Sequence, residues 1–295
     1  MGDHPTPQLG ITFLPWWPPE RLLSVATAAD RAGLGEFWLW EDCFKQAGAS
    51  TAGAVLARTD RVRVGVGLFP APLRNPALLA MEIAGLDRMF PGRFLGAVGH
   101  GVQDWMRQVG AKAASPVTLL REYLTAVRSL LDGDTVTVDG RYVHLDAVAL
   151  DHPPTGRATL FAGAGGPKSL ALCAELADGT LVSGFRPPST TREVRELADR
   201  VRSAAGLDPA HEIITSVPVA TGPDAAERME RERLAWEAEP ADGISVIGTA
   251  DEIADGLRRF VEAGATSIAV QPTRDEPDPE GLAAFLGAEV APLLR

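Results

Sequence analysis

The chain has 295 residues, of which 45% are hydrophobic, and its mean hydropathy is +0.02, as in globular proteins with an ample core. Its formal net charge of −11 argues against a nucleic-acid partner, because binding to a phosphate backbone needs clustered cations. The N-terminal sequence lacks the pattern of a signal peptide, and no run of about 18 apolar residues predicts a membrane span. The two cysteines, Cys43 and Cys173, lack metal-ligand spacing and favour a reducing compartment. We therefore expect a cytoplasmic protein that uses neither membrane nor metal.

Short apolar or β-branched runs alternate along the chain with longer helical patterns. A barrel of eight strands and eight helices commonly needs about 250 residues, so one domain over residues 1–295 is expected. Eight strands in strict alternation with helices favour a (β/α)8 TIM barrel over a doubly wound sheet. The predicted strands are 9–13, 36–40, 61–69, 93–98, 158–164, 179–185, 212–220 and 266–272, and the clearest helices are 20–33, 76–89, 117–131 and 167–177.

Two stretches depart from this alternation. Residues 134–146 alternate with period two around Asp139-Gly140, which predicts a β-hairpin. Residues 132–157 are therefore expected to form an insertion before the fifth barrel strand. The charged stretch 225–243 is typical of a solvated helix face.

Glycines cluster where several predicted strands end. In barrels of this kind the active site lies at the carboxyl ends of the strands. Glycine interrupts a strand where another backbone or a ligand comes close, so the cluster indicates a flat ligand. The alternative is that small residues relieve crowding at the barrel rim. These glycines are Gly67, Gly99, Gly101, Gly163 and Gly165.

The sequence GAGGPKS joins the fifth predicted strand to a helix. Such a turn exposes backbone N–H groups at Gly165, Gly166 and the helix start, where the helix dipole attracts an anion. Lys168 adds a charge beside them. The sequence predicts a phosphate site, or simply a glycine-rich loop with Pro167 in the first helical turn.

Candidates for proton transfer are few. Asp42 and His100 follow predicted strands, and a carboxylate or imidazole in a cleft can be tuned toward neutral pH. His100 is alternatively a rim histidine bonded to solvent, and Cys43 is more typical of a small buried hydrophobe than of a nucleophile. The motifs GxSxG, HExxH, Walker A and paired CxxC are absent, so serine or zinc hydrolysis is unsupported.

Aromatic residues approach the same end of the predicted barrel. Trp16, Trp17 and Phe69, together with Trp40, are expected either to wall an apolar substrate pocket or to pack in the core.

Three stretches together resemble the luciferase-like monooxygenase family, and most closely its coenzyme F420-dependent oxidoreductase branch. They are GEFWLWEDCF, VRVGVGLFPAPLRNPALLAMEIAGLDRMFPGRFLGAVGHG and GPKSLALCAELADGTLVSG. The resemblance covers nearly all of residues 9–272. It implies a TIM barrel with an insertion, a tricyclic cofactor in the barrel mouth and a homodimer.

The resemblance also implies roles for individual residues. A non-prolyl cis peptide that buttresses the cofactor ring falls near Val66-Gly67-Leu68, and Asp42 lies near the polar edge of the deazaflavin. Gly99 and Gly101 match the glycines beside the ring, with His100 between them. The segment that holds the cofactor phosphate through backbone amides corresponds to Gly163, Ala164, Gly165, Gly166, Pro167 and Lys168.

Two departures from the family pattern bear on the reaction. Cys43, at the edge of the expected substrate pocket, stands where a histidine often follows the aspartate. Val102 stands where the sugar-phosphate dehydrogenases carry a catalytic glutamate. Oxidation of glucose 6-phosphate is therefore not expected, and His100 is the candidate proton donor, with Asp42 positioning the cofactor.

Three functions remain open from the sequence. The first is hydride transfer between F420 and a small organic substrate. The second is an FMN-dependent monooxygenase that uses oxygen and a separate reductase as partner. The third is a catalytically silent barrel that binds a flavin or another ligand.

Overall fold

The structure is a computed structural model that describes residues 7–294. Its strands are β1 (Gln8–Phe13), β2 (Glu36–Leu39), β3 (Arg63–Pro70), β4 (Phe94–Gly99), β5 (Val136–Asp139), β6 (His144–Val148), β7 (Leu160–Gly163), β8 (Gly179–Val182), β9 (Glu212–Ala220), β10 (Val246–Ile247) and β11 (Ser267–Gln271). Its α-helices are α1 (Leu22–Arg31), α2 (Gly48–Arg58), α3 (Pro76–Met89), α4 (Gln103–Gln108), α5 (Pro116–Leu131), α6 (Pro167–Leu176), α7 (Pro188–Ala204), α8 (Ala225–Ala235), α9 (Ala250–Glu262) and α10 (Pro279–Phe285).

Eight parallel strands close into a barrel. The order runs β1, β2, β3, β4, β7, β8, β9 and β11, and β11 pairs back onto β1 with Gln8 opposite Ser267. The (β/α)8 prediction is confirmed, since each of the eight predicted runs overlaps one barrel strand. The short strand β10 adds to the edge of β9.

The insertion forms the predicted hairpin. Strands β5 and β6 pair antiparallel, with Asp139 opposite His144, and the hairpin precedes β7, the fifth strand of the barrel. Helix α5 supports it, because the Glu122 carboxylate accepts hydrogen bonds from the backbone N–H groups of residues 141–143.

Large side chains fill the barrel interior. Trp38 packs with Phe161, their ring centroids 6.5 Å apart, and with Leu95 and Ile214. Gly65 makes room for the indole, because a Cβ there would lie 2.3 Å from the Trp38 ring. The interior is therefore a packed core beneath the barrel mouth.

Helix α8 departs from the sequence expectation. The first part of the charged stretch 225–243 forms helix α8 (Ala225–Ala235), but that helix is not simply solvated: Arg228, Met229 and Glu232 are buried. Arg228 is neutralised by Glu276, with Nη1 2.5 Å from Oε2. Paired charges of this kind look like surface charges in a sequence, although the fold buries them.

Across residues 7–294, no helix combines the length and the apolar character needed to cross a membrane.

Candidate active site

A cavity of about 640 Å³ opens at the carboxyl ends of the barrel strands. Its size falls within the range of pockets that bind cofactors and small molecules. Residues from nearly every strand end contribute to its wall. Its lining comprises Thr12, Trp16, Trp38, Trp40, Glu41, Asp42, Gly67, Leu68, Pro70, His100, Gly101, Val102, Trp105, Gly163, Ala164, Gly165, Leu181, Val182, Ser183, Gly184, Ile214, Ser216, Ala235, Trp236, Glu237, Ala269 and Arg274.

Many of the residues singled out from the sequence meet in this cavity. They come from the loop after β1, the ends of β2, β3 and β4, and the loop after β7. These are Trp16, Asp42, Gly67, Leu68, His100, Gly101, Gly163, Ala164 and Gly165.

Others lie behind the wall instead. Trp17 is buried, and its Nε1 donates to the Arg274 carbonyl over 3.1 Å. Val66 and Phe69 face helix α2, where both would contact a Cβ placed on Gly48. The expectation that Trp17 and Phe69 wall the substrate pocket does not match this placement. Cys43, Gly99, Gly166, Pro167 and Lys168 also do not line the cavity.

The wall between β3 and β4 is an irregular backbone. The register shifts between Val66 and Phe69, and the Gly67–Leu68 peptide is cis, at the position that the family resemblance implies. The Leu68 side chain lies over Gly99 and Gly163, where a Cβ would come within 2.5 and 2.8 Å of Leu68 Cδ2. These two glycines therefore let the three strand ends pack closely beneath the cavity.

A second non-prolyl cis peptide joins Cys43 to Phe44 in the loop after β2. The same loop holds two neighbouring carboxylates. Glu41 is buried and fully engaged: it accepts from the Gly48 N–H at 2.7 Å and from both terminal nitrogens of Arg74 at 2.6 and 3.0 Å. Glu41 thus ties the loop to the start of α2 and to the loop after β3.

Asp42 differs from its neighbour. Within residues 7–294 its carboxylate makes no hydrogen bond, and it lines the cavity. Burial raises the pKa of Asp42, and the charge of Lys45 opposes that shift. Asp42 is therefore a carboxyl group left available to a ligand.

His100 is held at the junction of β4 and α6. Its Nε2 lies 2.7 Å from the Ser169 Oγ in the first turn of α6, and Ser169 is buried. Burial lowers the pKa of His100, and a weaker contact with the Pro116 carbonyl acts in the opposite direction. Burial therefore favours the neutral form of His100, and its ring is anchored to the protein as well as lining the cavity.

The loop after β7 has the geometry of an anion site. Gly166 is the N-cap of α6, and no side chain caps this helix. A Cβ on Gly165 or Gly166 would meet nothing within 4 Å, so the approach to the first-turn N–H groups is open. Backbone N–H groups and the helix dipole both favour a phosphate here, and Lys168 is exposed at the same turn.

Comparison with known proteins identifies the scaffold. The family model described as luciferase-like monooxygenase matches residues 3–241. The chain belongs to the luciferase-like monooxygenase family.

The relatives of this luciferase-like protein include F420-dependent reductases and dehydrogenases, which confirms the predicted resemblance. It is 27% identical over 280 residues to the F420-dependent glucose-6-phosphate dehydrogenase of Nakamurella multipartita, with 88% of this chain and 80% of the relative covered. It is 23% identical to the 5,10-methylenetetrahydromethanopterin reductase of Archaeoglobus fulgidus, covering 98% of this chain and all of the relative. It is 28% identical to the Methanolobus tindarius reductase of the same name over 68% of this chain, which spans 61% of that relative's length.

Solved structures share the fold. An F420-dependent secondary alcohol dehydrogenase in complex with an F420-acetone adduct superposes with a TM-score of 0.87, at 22% identity, over 99% of this chain and 100% of that one. The monooxygenase RslO1 from Streptomyces bottropensis superposes with a TM-score of 0.83, at 20% identity, over 97% and 99%.

The sequence missed one side of the cavity of this luciferase-like protein. Ser183 and Gly184 follow β8, and Arg274 follows β11. The rule that barrel sites lie at the carboxyl ends of strands could therefore have identified all three from the sequence. Trp236 follows α8 rather than a strand, and only the packing of α8 beside the mouth brings it to the cavity. In the described part of the chain, no group of three or more His, Cys, Asp or Glu side chains has the arrangement of a metal site.

Proposed function

We propose that this protein is an oxidoreductase that transfers a hydride between coenzyme F420 and a small organic substrate. One observation carries the proposal: a large cavity has an apolar floor and an available carboxyl group after β2, and the open N-terminus of α6 adjoins its wall at Gly165. The F420-dependent relatives support the same cofactor.

The residues present fit such a cofactor. Trp38, Leu68 and Leu181 line the cavity floor with apolar surface that suits a flat ring system. The uncapped start of α6 suits the cofactor phosphate. The buried Thr12 Oγ1 has no hydrogen-bond partner within residues 7–294, and Thr12 lines the same cavity. A buried polar atom without a partner is costly, and a polar ring edge would supply one.

Two side chains take part in the proposed chemistry. When bound, F420 supplies the hydride donor or acceptor. Asp42 would position the polar edge of the ring, because its carboxyl lines the cavity and makes no hydrogen bond within residues 7–294. His100 exchanges the proton at the substrate oxygen or nitrogen. Its lowered pKa favours the neutral imidazole, which accepts a proton when the substrate is oxidised; the ring must itself be protonated before it can donate one when the substrate is reduced.

The cavity does not favour sugar phosphates. Val102 lines the wall at the position where the sugar-phosphate dehydrogenases carry their catalytic glutamate, and it offers no proton. Around it, Trp16, Trp40 and Trp105 form an aromatic rim. A small organic substrate with apolar surface suits this rim better than a polyhydroxylated one.

An FMN-dependent monooxygenase is the second candidate, supported by the similarity of fold to RslO1. A phosphate loop suits FMN as well as F420, and such an enzyme would need oxygen and a separate reductase. A catalytically silent barrel is the third.

Titration of the purified protein with oxidised F420 and, separately, with FMN tests the proposal. We expect saturable one-to-one binding of F420, at least tenfold tighter than any binding of FMN. Replacing Asp42 should weaken F420 binding. Saturation by FMN alone would contradict the assignment, and binding of neither would leave only a barrel with another ligand.

We further propose a homodimer formed through α3. This helix exposes Leu78, Met81 and Met89, the last two more than half accessible, although the rest of its apolar residues are buried. Sedimentation should give twice the monomer mass for the wild-type protein, and the monomer mass for Met81→Glu.

A cytoplasmic location is also proposed, because Cys43 and Cys173 are both free thiols.

A further inference from the structure

The outer wall of the cavity is a row of indoles. Trp16 packs edge-on against Trp40 with ring centroids 6.2 Å apart, and Trp40 packs edge-on against Trp236 at 5.8 Å. All three line the cavity, as does Trp105. Because neighbouring rings are nearly perpendicular, with interplanar angles of 84° and 76°, a ligand would meet individual indole faces and edges. Each indole offers large apolar contact area at low conformational cost.

One buried carboxylate fixes two members of this wall. Glu232 of α8 is 1% exposed, and its Oε1 accepts from the Trp236 Nε1 at 2.8 Å. Its Oε2 accepts from the backbone N–H of Arg274 at 3.0 Å and from the Arg274 Nε at 2.9 Å. The Trp236 indole, just after α8, and the Arg274 guanidinium, after β11, are therefore positioned by the same carboxylate.

Arg274 retains a donor after these contacts are made. Its Nη2 lies 3.4 Å from the Glu232 Oε1, whereas its Nη1 makes no hydrogen bond within residues 7–294. The guanidinium carbon lies 4.7 Å from the Trp16 ring centroid, and Arg274 lines the cavity. The stacked guanidinium thus presents a fixed donor beside an aromatic surface.

A second cation lies on the same indole. The Lys45 Nζ is 4.8 Å from the Trp16 ring centroid and 5.7 Å from that of Trp105. Two cations therefore flank one indole, although Glu232 pairs with Arg274 and Asp42 lies within reach of the charge of Lys45. Glu237 lines the same rim but is exposed to solvent, which screens its charge.

Resting on the proposed oxidoreductase function, we propose that the substrate is a flat, conjugated compound that carries a carboxylate. The conjugated part contacts the indoles of the cavity wall, and the carboxylate binds the Arg274 Nη1 with Lys45 adding charge. A charge-assisted hydrogen bond to a positioned guanidinium gives selectivity for the acid over a neutral compound of the same shape.

Binding of 2-naphthoate, compared with its neutral analogue 2-naphthamide, tests this subsite without catalysis. Calorimetry with the protein, both free and saturated with F420, should give an affinity at least tenfold higher for the acid than for the amide. Arg274→Gln should abolish this preference with little effect on the amide or on F420 binding. Arg274→Lys, which keeps the charge, should retain most of the preference.

Arg231→Gln is the matched control. Arg231 also links α8 to the loop after β11, through its 2.7 Å contact with Asp275, but it is exposed and lies outside the cavity. Its replacement should leave the acid-to-amide ratio unchanged. If Arg274→Gln does not fold, the ratio of acid affinity to amide affinity in the wild-type protein tests the carboxylate subsite.

Three results would overturn the subsite. Equal affinities for acid and amide in the wild-type protein would remove the role of charge. Equal weakening of both by Arg274→Gln would assign Arg274 to wall structure alone. If naphthoate and F420 exclude each other, Arg274 binds the anionic groups of the cofactor rather than a substrate carboxylate. Failure of F420 to bind, with the acid preference intact, would instead contradict the cofactor assignment and leave the carboxylate subsite standing.

Discussion

The two ends of the barrel treat polar groups in opposite ways. At the amino end, the buried Glu36 carboxylate has three partners: the Arg63 Nη2 at 2.5 Å, the Trp38 Nε1 at 2.7 Å and the Ser267 Oγ at 2.5 Å. At the carboxyl end, Asp42 and Thr12 Oγ1 have no side-chain partner among the described residues. The Glu36 carboxylate at the amino end is satisfied within the protein, whereas Asp42 and the Thr12 hydroxyl at the carboxyl end are available to a ligand.

Other charges at the amino end follow the same pattern. Asp178, just before β8, accepts from Arg128, Arg157 and the backbone N–H of Leu160. These contacts tie the starts of β7 and β8 to the end of α5 and the insertion. A buried ion pair adds little net stability compared with an apolar core, but breaking one is costly. The comparison therefore predicts stability defects from the amino end and binding defects from the carboxyl end.

The largest loss of stability is expected inside the barrel, just above the amino end. In Gly65→Ala, the new Cβ would lie 2.3 Å from the Trp38 ring, so the free energy of unfolding should fall by about 3 kcal/mol or more. Gly85→Ala in helix α3 is the control, because its Cβ meets nothing within 4 Å; it should be neutral or slightly stabilising. Chemical denaturation of both variants measures the difference.

His211 at the amino end predicts a loss of stability in acid. Burial and the charges of Arg202 and Arg195 lower the pKa of His211 to about 4, from 6.5 in the unfolded chain. Between pH 6.5 and 4 the unfolded state binds more protons than the folded state. The contribution of neutral His211 to the free energy of unfolding is therefore complete above pH 6.5 and is lost as the pH falls toward 4. The loss should reach about 3 kcal/mol by pH 4.

The variant His211→Gln checks this assignment, since a glutamine can keep the contact with the Thr180 Oγ1, now 2.9 Å from Nε2. Its stability should fall less steeply between pH 6.5 and 4 than that of the wild-type protein. His144→Gln, on the exposed hairpin, should follow the wild-type curve. Parallel wild-type and His211→Gln curves would exclude His211 as the source.

The carboxylate of Glu36 gives a smaller stability effect. Glu36→Gln leaves Arg63 without its counter-charge and should cost about 2 kcal/mol, less than a fully buried pair because the Arg63 side chain is 29% exposed. The F420 affinity of the folded variant should not change. A loss of affinity without a loss of stability would contradict the division between the two ends.

The smallest effect on stability is expected for a substitution at Asp42, which should instead weaken the binding of F420. Burial raises the pKa of this carboxyl, and only Lys45 opposes that shift, so Asp42→Asn should leave the melting temperature unchanged or higher. The F420 affinity should fall by about tenfold, as expected for one charged hydrogen bond. Titration with F420 and thermal unfolding of the same preparation separate the two effects.

The barrel could be predicted from the sequence because its signals are local. Runs such as 93–98 and 212–220 are short, apolar and separated by helical patterns, and each overlaps a strand. The positions of Asp42 and His100 followed from the rule that barrel sites lie at the carboxyl ends of strands. Both line the cavity.

What the sequence missed depends on tertiary structure. Val66 and Phe69 are three residues apart and would face opposite sides of a regular strand, but the bulge turns both toward α2. Phe69 is therefore core rather than pocket. Trp236 and Glu232 lie in a stretch with the composition of a surface helix, and only contacts with Arg274 and Trp40 reveal their place in the wall.

The most direct test of the central claim is anaerobic hydride transfer at the carboxyl end. Reduced F420 and a panel of conjugated ketones, enones and imines, with and without a carboxylate, are incubated with the wild-type protein and His100→Ala. We predict that the wild-type protein oxidises F420 in a one-to-one ratio with product in the absence of oxygen. His100→Ala should bind F420 normally but turn over at least tenfold more slowly. Turnover only with reduced FMN and oxygen would contradict the account, and an unchanged rate in His100→Ala would remove His100 from the reaction.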